Sequence, residues 1–154
     1  MTTEPPAANL NRLALSATVH CLTGCAIGEV LGMVLATWWG WHDAAQIALA
    51  VALAFLFGYG LTSLPLLRSG MSVREVAPLA LASDTASIGT MEVVDNLFVL
   101  LVPGAIAAGL GDALFWWSLA VGLLIAGAVA WPLNGWLISR GKGHAVVHAH
   151  HGHH

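Results

Sequence analysis

Four acidic residues lie inside hydrophobic stretches of this chain, away from all five Lys and Arg residues. These acids are Glu29, Asp84, Glu92 and Asp95. An Asp at the centre of a membrane helix costs roughly 2.5 to 3.5 kcal/mol, so four acids cost on the order of 10 kcal/mol unless they are neutralised. The one basic side chain within these stretches is His20. We therefore expect a proton or a metal cation to neutralise the acids.

A four-residue period places further metal ligands on one face of the first hydrophobic stretch. The residues on this face are Cys21, Cys25, Glu29 and Met33, with His20 next to them. Residues four apart lie on one side of a helix, and thiol, thioether and imidazole groups suit Cu(I) and Zn(II). The pattern predicts a transition-metal site with copper ahead of zinc, whereas ordinary core packing is the alternative for each Cys and Met.

Polar residues of the third hydrophobic stretch also follow a helical spacing. Its stripe consists of Asp84, Ser87, Met91 and Asp95, with Glu92 and Asn96 beside it. The first and third stretches run in the same direction, so residues equally far from their starts share a depth. The expected neighbours are Cys21 with Asp84 and Ser87, Cys25 with Met91, Glu29 with Glu92 and Asp95, and Met33 with Asn96 or Phe98. We therefore predict a polar contact between these two helices that crosses most of the membrane.

The residues of this polar contact predict a path for a metal ion. The expected metal ligands are His20, Cys21, Cys25, Glu29, Met33, Met91, Glu92 and Asp95. The acids expected to balance charge or exchange protons are Asp84, Glu29, Glu92 and Asp95. Because metal binding displaces protons from its ligands, we expect these carboxyls to be protonated when the path is empty. The sequence thus predicts transport of a transition metal ion, with proton antiport as the coupled mechanism.

The composition places the chain among integral membrane proteins. It has 154 residues, of which 58% are hydrophobic and 8% charged, and its mean hydropathy is +0.79. Four stretches reach the roughly 20 residues that a spanning helix needs; they are about 13–38, 44–67, 78–102 and 113–139. A polar segment, residues 1–12, precedes them, and a tail, residues 140–154, follows. We predict an all-α bundle of four transmembrane helices in the lipid bilayer.

The positions of the positive residues predict the orientation of this bundle. Arg12, Arg68, Arg74, Arg140 and Lys142 all fall on the same side of the membrane if the four stretches span it. By the positive-inside rule this side is cytoplasmic. We therefore expect both termini in the cytoplasm.

Three glycines in the first stretch form a ridge of small residues. They are Gly24, Gly28 and Gly32, and their spacing lets another helix backbone approach closely. We expect this ridge to pack against the third helix of the same chain. A homodimer contact is the alternative.

The C-terminal tail contains six of the eight histidines. They are His144, His148, His150, His151, His153 and His154. His-rich tracts bind Zn, Cu or Ni through neutral imidazole. We expect the tail to collect or sense metal, and a tail without a role is the alternative.

Two other functional classes fit parts of the pattern. A membrane scaffold or assembly factor would use the glycine ridge and the polar contact for protein association. An intramembrane thiol redox enzyme would use Cys21 and Cys25, but Cβ atoms four residues apart on a helix are roughly 5 to 6 Å apart, against about 3.8 Å in a disulfide. No Walker-type loop for ATP is present in the sequence. We expect neither enzymatic activity nor a nucleic-acid partner.

Three sequence blocks carry the features described above: HCLTGCAIGEVLGM, ALASDTASIGTMEVVDN and LISRGKGHAVVH. Together they resemble a bacterial membrane family known only as a domain of unknown function, over the range from His20 to His148. The resemblance implies a four-helix protein of the bacterial cytoplasmic membrane and suggests an association with copper handling. It assigns no site residues.

Overall fold

A computed structural model describes residues 7–140, most of which lie in four helices. These are α1 (Ala7–Trp39), α2 (Ala44–Arg68), α3 (Val73–Leu101) and α4 (Ala113–Ser139). Within the described range the structure contains no strand, which confirms the all-helical prediction. The six tail histidines and Lys142 lie outside the described residues, and so do residues 1–6.

Two helices begin earlier than their hydropathy predicts. α1 begins at Ala7 rather than at residue 13, and α3 begins at Val73 rather than at Pro78. Hydropathy marks where apolar residues begin, whereas a helix starts where its first N–H groups find partners. For α3 this partner is a capping box, in which Ser72 N–H donates to Glu75 Oε2 at 2.8 Å. The predicted start at Pro78 is therefore wrong by five residues.

Three of the four described helices are long and apolar enough to cross a membrane. They are α1 (from Asn9 onward), α2 and α4, and their mean hydropathies are 1.7, 2.0 and 2.0, respectively. α3 is less apolar because it carries acids and hydroxyls, and most of these are buried between the helices. The three apolar helices indicate a membrane protein.

The helices pack with their sequence neighbours and close into a ring. α1 contacts α2 and α4, α3 contacts the same two helices, and α1 and α3 also meet across the middle of the bundle. The contact between α1 and α2 is the most extensive, and that between α1 and α3 is smaller than any around the ring. Because neighbours are antiparallel, α1 and α3 run in the same direction.

The glycine ridge of α1 packs against a matching ridge on α2. The facing pairs are Gly24 with Gly58, Gly28 with Ala54 and Gly32 with Ala50. A Cβ at Gly24 would lie 2.9 Å from the Cα of Gly58, so the two backbones are in contact. The expectation that α3 covers this ridge is wrong, because α2 offers small residues at the same four-residue spacing. The homodimer contact would need the surface that α2 covers.

Charged and aromatic residues mark opposite ends of the bundle. Exposed arginines lie at the end that we term the Arg end: Arg12, Arg68, Arg74 and Arg140. Five of the seven exposed tryptophans lie at the other end, termed the Trp end: Trp38, Trp39, Trp41, Trp116 and Trp117. At the Arg end the guanidinium of Arg140 lies 5.0 Å from the ring centre of Trp136, a distance typical of a cation–π contact.

Candidate functional site

The polar faces of α1 and α3 meet inside the bundle and form a contact that we term the seam. It consists of Cys21, Cys25 and Glu29 from α1, and of Asp84, Ser87, Met91, Glu92 and Asp95 from α3. The three acidic side chains that α3 contributes to the seam are 0 to 4% exposed, so their carboxyls face protein rather than the bundle surface. The neighbours along the seam are Cys21 with Ser87, Cys25 with Glu92, and Glu29 with Asp95. This register agrees with the depths expected from the sequence.

Near the Arg end, a polar group joins three helices. His20 Nε2 lies 2.9 Å from Thr62 Oγ1, and the Thr62 hydroxyl also bonds to the carboxyl of Asp84. Ser83 Oγ donates to Asp84 Oδ1 at 2.9 Å, and the His20 ring lies close enough to Asp84 to interact electrostatically. Since a hydroxyl has one proton, donation to Asp84 leaves the His20 ring to donate to Thr62. Asp84 therefore has partners within the protein.

Replacing Thr62 by valine removes this link without changing the shape of the side chain. We expect a loss of about 1 kcal/mol of stability, because interhelical hydrogen bonds in membrane proteins average about 0.6 and reach about 1.7 kcal/mol. Unfolding in mixed detergent micelles would measure it. The matched control is Thr23→Val, since the exposed Thr23 bonds only to its own helix, at Val19 O. Equal stability of the two variants would contradict the bridging role.

In the middle of the seam lie two free thiols and a thioether. Cys21, Cys25 and Met91 are 1%, 0% and 0% exposed and belong to one buried cluster. The Cys25 thiol lies against the Glu92 carboxyl. Asn96 Nδ2 donates to the backbone oxygen of Glu92 at 2.8 Å. The arrangement supplies soft ligands next to a group that can take up a proton.

Toward the Trp end, the carboxyls of Glu29 and Asp95 lie at hydrogen-bond distance from each other. Apart from this mutual contact, Glu29 Oε1 and Asp95 Oδ1 accept no hydrogen bond from the residues in the described range. Two carboxylates cannot both stay ionised at such close range without a compensating positive charge. We term these two residues the acidic pair.

The eight expected ligands are spread along the seam rather than gathered at one point. In the part of the chain that the structure describes, no three His, Cys, Asp or Glu side chains are close enough to hold a metal ion. His20 lies with Asp84, and Cys25 lies with Met91 and Glu92. Met33 belongs to a different cluster, beside Phe115 and Leu119, and its sulfur lies 3.7 Å from Thr37 Oγ1.

Several polar and small residues that position the seam have no distinctive sequence signal. Thr62 is one, and another is Gly122 of α4, where any Cβ would collide with Asp95 Oδ1. Asn134 Nδ2 also donates to Thr18 Oγ1 at 2.9 Å and joins α4 to α1. The four-residue period of small residues in α2 could have indicated Thr62, since it continues the row of Ala54 and Gly58.

Comparison with protein families matches residues 11–143 to the family described as a domain of unknown function, DUF4396. Comparison with curated proteins gave no match, and neither did comparison with solved structures. The matched range contains every residue of the seam and most of the 154-residue chain. The match confirms the resemblance to a family described as a domain of unknown function, although it ends at residue 143, within the third of the three sequence blocks. The chain belongs to the DUF4396 family.

Proposed function

We propose that this protein binds a transition metal ion, copper(I) ahead of zinc, and moves it along the seam. The observation that carries the proposal is the buried cluster of Cys21, Cys25 and Met91, with the Glu92 carboxyl against one thiol. The metal is the transported substrate. In this mechanism the carboxyls of Glu29 and Asp95 extend the path of the metal from the thiol cluster toward the Trp end.

The proposal includes a fourth membrane span, formed by α3. Its 29 residues make a helix about 44 Å long, which exceeds the roughly 30 Å of a hydrocarbon core. Its outward side is apolar, with Leu81, Val93 and Leu97 more than half exposed, while its acids lie in the seam. We place the Arg end in the cytoplasm of a bacterial cell by the positive-inside rule. Both termini are then cytoplasmic.

The ligand types favour copper(I) over zinc. Zinc sites in proteins use Cys, His, Asp and Glu, whereas a Met thioether is a soft ligand that suits copper(I). Met91 supplies such a thioether beside the two thiols. The seam itself contains no His among its residues, and the neighbouring His20 bonds to Thr62.

Binding of copper(I) releases protons, because a thiol coordinates a metal as the thiolate. The proton leaving the Cys25 sulfur has an acceptor at the adjacent Glu92 carboxyl. Glu92 releases this proton to the side from which the metal entered, and when the metal leaves on the opposite side the thiolate takes up a proton from there. Metal movement in one direction is then coupled to proton movement in the other.

Uptake of copper(I) into proteoliposomes under reducing conditions tests the proposal. We expect uptake by the full chain, and also by a variant with Ala at all six tail histidines, in both cases faster with an imposed pH gradient. Cys25→Ser should weaken copper binding by about 100-fold or more and abolish uptake, since loss of a supporting residue alone costs 10- to 100-fold. Thr23→Val, two residues away and exposed, is the matched control.

The outcomes separate the rival functions. Loss of all bound copper in the tail variant would assign metal binding to the tail. Normal uptake by Cys25→Ser would contradict the thiol site. Uptake that does not respond to the pH gradient would contradict proton exchange, and metal binding without any uptake would favour a scaffold or assembly factor.

A further inference from the structure

A cavity at the Trp end of the bundle reaches the acidic pair. Its volume is about 80 Å³, enough for a few water molecules, since one needs roughly 10 to 15 Å³. Its polar lining residues are Glu29, Asp43, Gln46, Asp95, Asn96 and Ser118, and the remaining walls are apolar. Asp43 is exposed next to the first residue of α2. The cavity therefore leads from the bundle surface to Glu29 and Asp95.

Both members of the acidic pair line this cavity, and the Oδ1 atom of Asp95 faces Gly122 of α4. Asp95 is 3% exposed, and apart from the contact within the pair its Oδ1 accepts no hydrogen bond from residues 7–140. The same holds for Glu29 Oε1 in this range. An uncompensated charge in a buried site costs several kcal/mol. These oxygens therefore call for a positively charged ligand.

The neutral side chains of the cavity add oxygen ligands. Asn96 uses its Nδ2 to donate to Glu92 O at 2.8 Å, which leaves its amide oxygen for a ligand. Ser118 donates its hydroxyl proton to Phe115 O at 3.0 Å, which leaves the lone pairs of its oxygen. Of the described residues that line the cavity, none is Lys, Arg or His. Carboxylate, amide and hydroxyl oxygens are the ligands that hard cations prefer.

We propose that this cavity is a binding site for a divalent metal cation of the Mg²⁺ or Mn²⁺ class, held by Glu29 and Asp95. One divalent ion balances both carboxylates, whereas a proton or a monovalent ion balances only one of them. Ions of the Mg²⁺ class are commonly bound through one or two carboxylates and keep several waters, and the cavity has room for these waters. The site shares Glu29 and Asp95 with the proposed path of the transported metal, but it contains none of the thiol cluster and does not depend on copper chemistry.

A titration with Mn(II) tests this site. Electron paramagnetic resonance measures binding as the loss of the signal of the free ion. The parent is the full chain in detergent with Ala at the six tail histidines, so that tail binding is removed. We expect about one bound Mn(II) per chain, with competition by Mg²⁺. Glu29→Gln and Asp95→Asn should each weaken binding about tenfold or more, the scale on which site residues affect metal affinity.

Two controls define what the result means. Asp112→Asn removes an exposed carboxyl at the same end that already accepts a bond from Gly109 N–H at 2.7 Å, and it should leave Mn(II) binding unchanged. Cys25→Ser should also leave it unchanged, while it abolishes copper uptake. If the parent protein shows only one of the two activities, copper uptake or Mn(II) binding, the proposal for the missing activity has failed.

Three outcomes would overturn the site. The parent binding no Mn(II) would show that the acidic pair holds a proton instead. Full binding by both Glu29→Gln and Asp95→Asn would place the ion elsewhere. If either acidic variant fails to fold, Asn96→Ala replaces it, because this change removes only a neutral ligand. We expect Asn96→Ala to weaken Mn(II) binding several-fold. Unchanged binding in this variant would contradict the proposed ligand set.

Discussion

Replacing Gly28 by alanine is expected to destabilise the bundle by about 3 kcal/mol, at the upper end of the usual cost of overpacking. The new Cβ would overlap the backbone of Ala54 on α2, and a backbone cannot rotate away as a side chain can. Alanine favours a helix over glycine by about 1 kcal/mol in water, so the steric cost exceeds the gain in propensity. The helices α1 and α2 must then separate.

Unfolding in mixed micelles measures this loss, with Gly60→Ala as the matched control. Gly60 lies on α2, two residues after Gly58, and a Cβ there would meet no heavy atom within 4 Å. We expect Gly60→Ala to be neutral or slightly stabilising, because only the propensity term remains. Equal stability of Gly28→Ala and Gly60→Ala would mean that the close approach of α1 and α2 is not needed for folding.

Replacing Gly122 by alanine is expected to impair the acidic pair while leaving the fold nearly intact. The new Cβ would collide with Asp95 Oδ1, a side-chain atom that can move. We therefore expect a stability change of less than about 1 kcal/mol, below the typical range for overpacking. The displaced carboxyl should weaken Mn(II) binding about tenfold, as expected for loss of a residue that orients a ligand.

The control for Gly122→Ala is Gly135→Ala on the same helix. A Cβ at Gly135 would lie 3.7 Å from Ala14 Cβ, which is ordinary contact. Thermal unfolding and the Mn(II) titration are measured on both variants. Unchanged Mn(II) binding in Gly122→Ala would show that the position of the Asp95 carboxyl does not matter for the cation.

The register of α1 against α3 could be derived from the sequence because both helices run in the same direction. Counting from their expected starts places Cys21 at the depth of Ser87, and Glu29 at the depth of Asp95; the structure brings these pairs together. α1 and α3 begin six and five residues earlier than expected. The predicted register is still correct because these two errors nearly cancel.

Contacts that involve a third helix could not be derived in this way. The bridge from His20 through Thr62 to Asp84 depends on the rotation of α2, which hydropathy does not determine. Alanine is common in apolar helices, so the spacing of Ala50 and Ala54 did not predict that they pack against the glycine ridge of α1. The cavity depends on how the segment between α3 and α4 closes over the Trp end, and no residue pattern predicts that.

The backbone contact between α1 and α2 has a consequence for how the protein can move. With Gly24 against Gly58 the backbones of α1 and α2 are in contact, and any shift of one helix along the other would bring larger side chains into this contact. In the transport mechanism proposed above, α1 with α2 would form one half and α3 with α4 the other, since transporters commonly alternate access by rocking one rigid half against another. The thiols and Glu29 then travel with one hairpin, and Met91 and Asp95 with the other. Rocking would release an ion by pulling its own ligands apart.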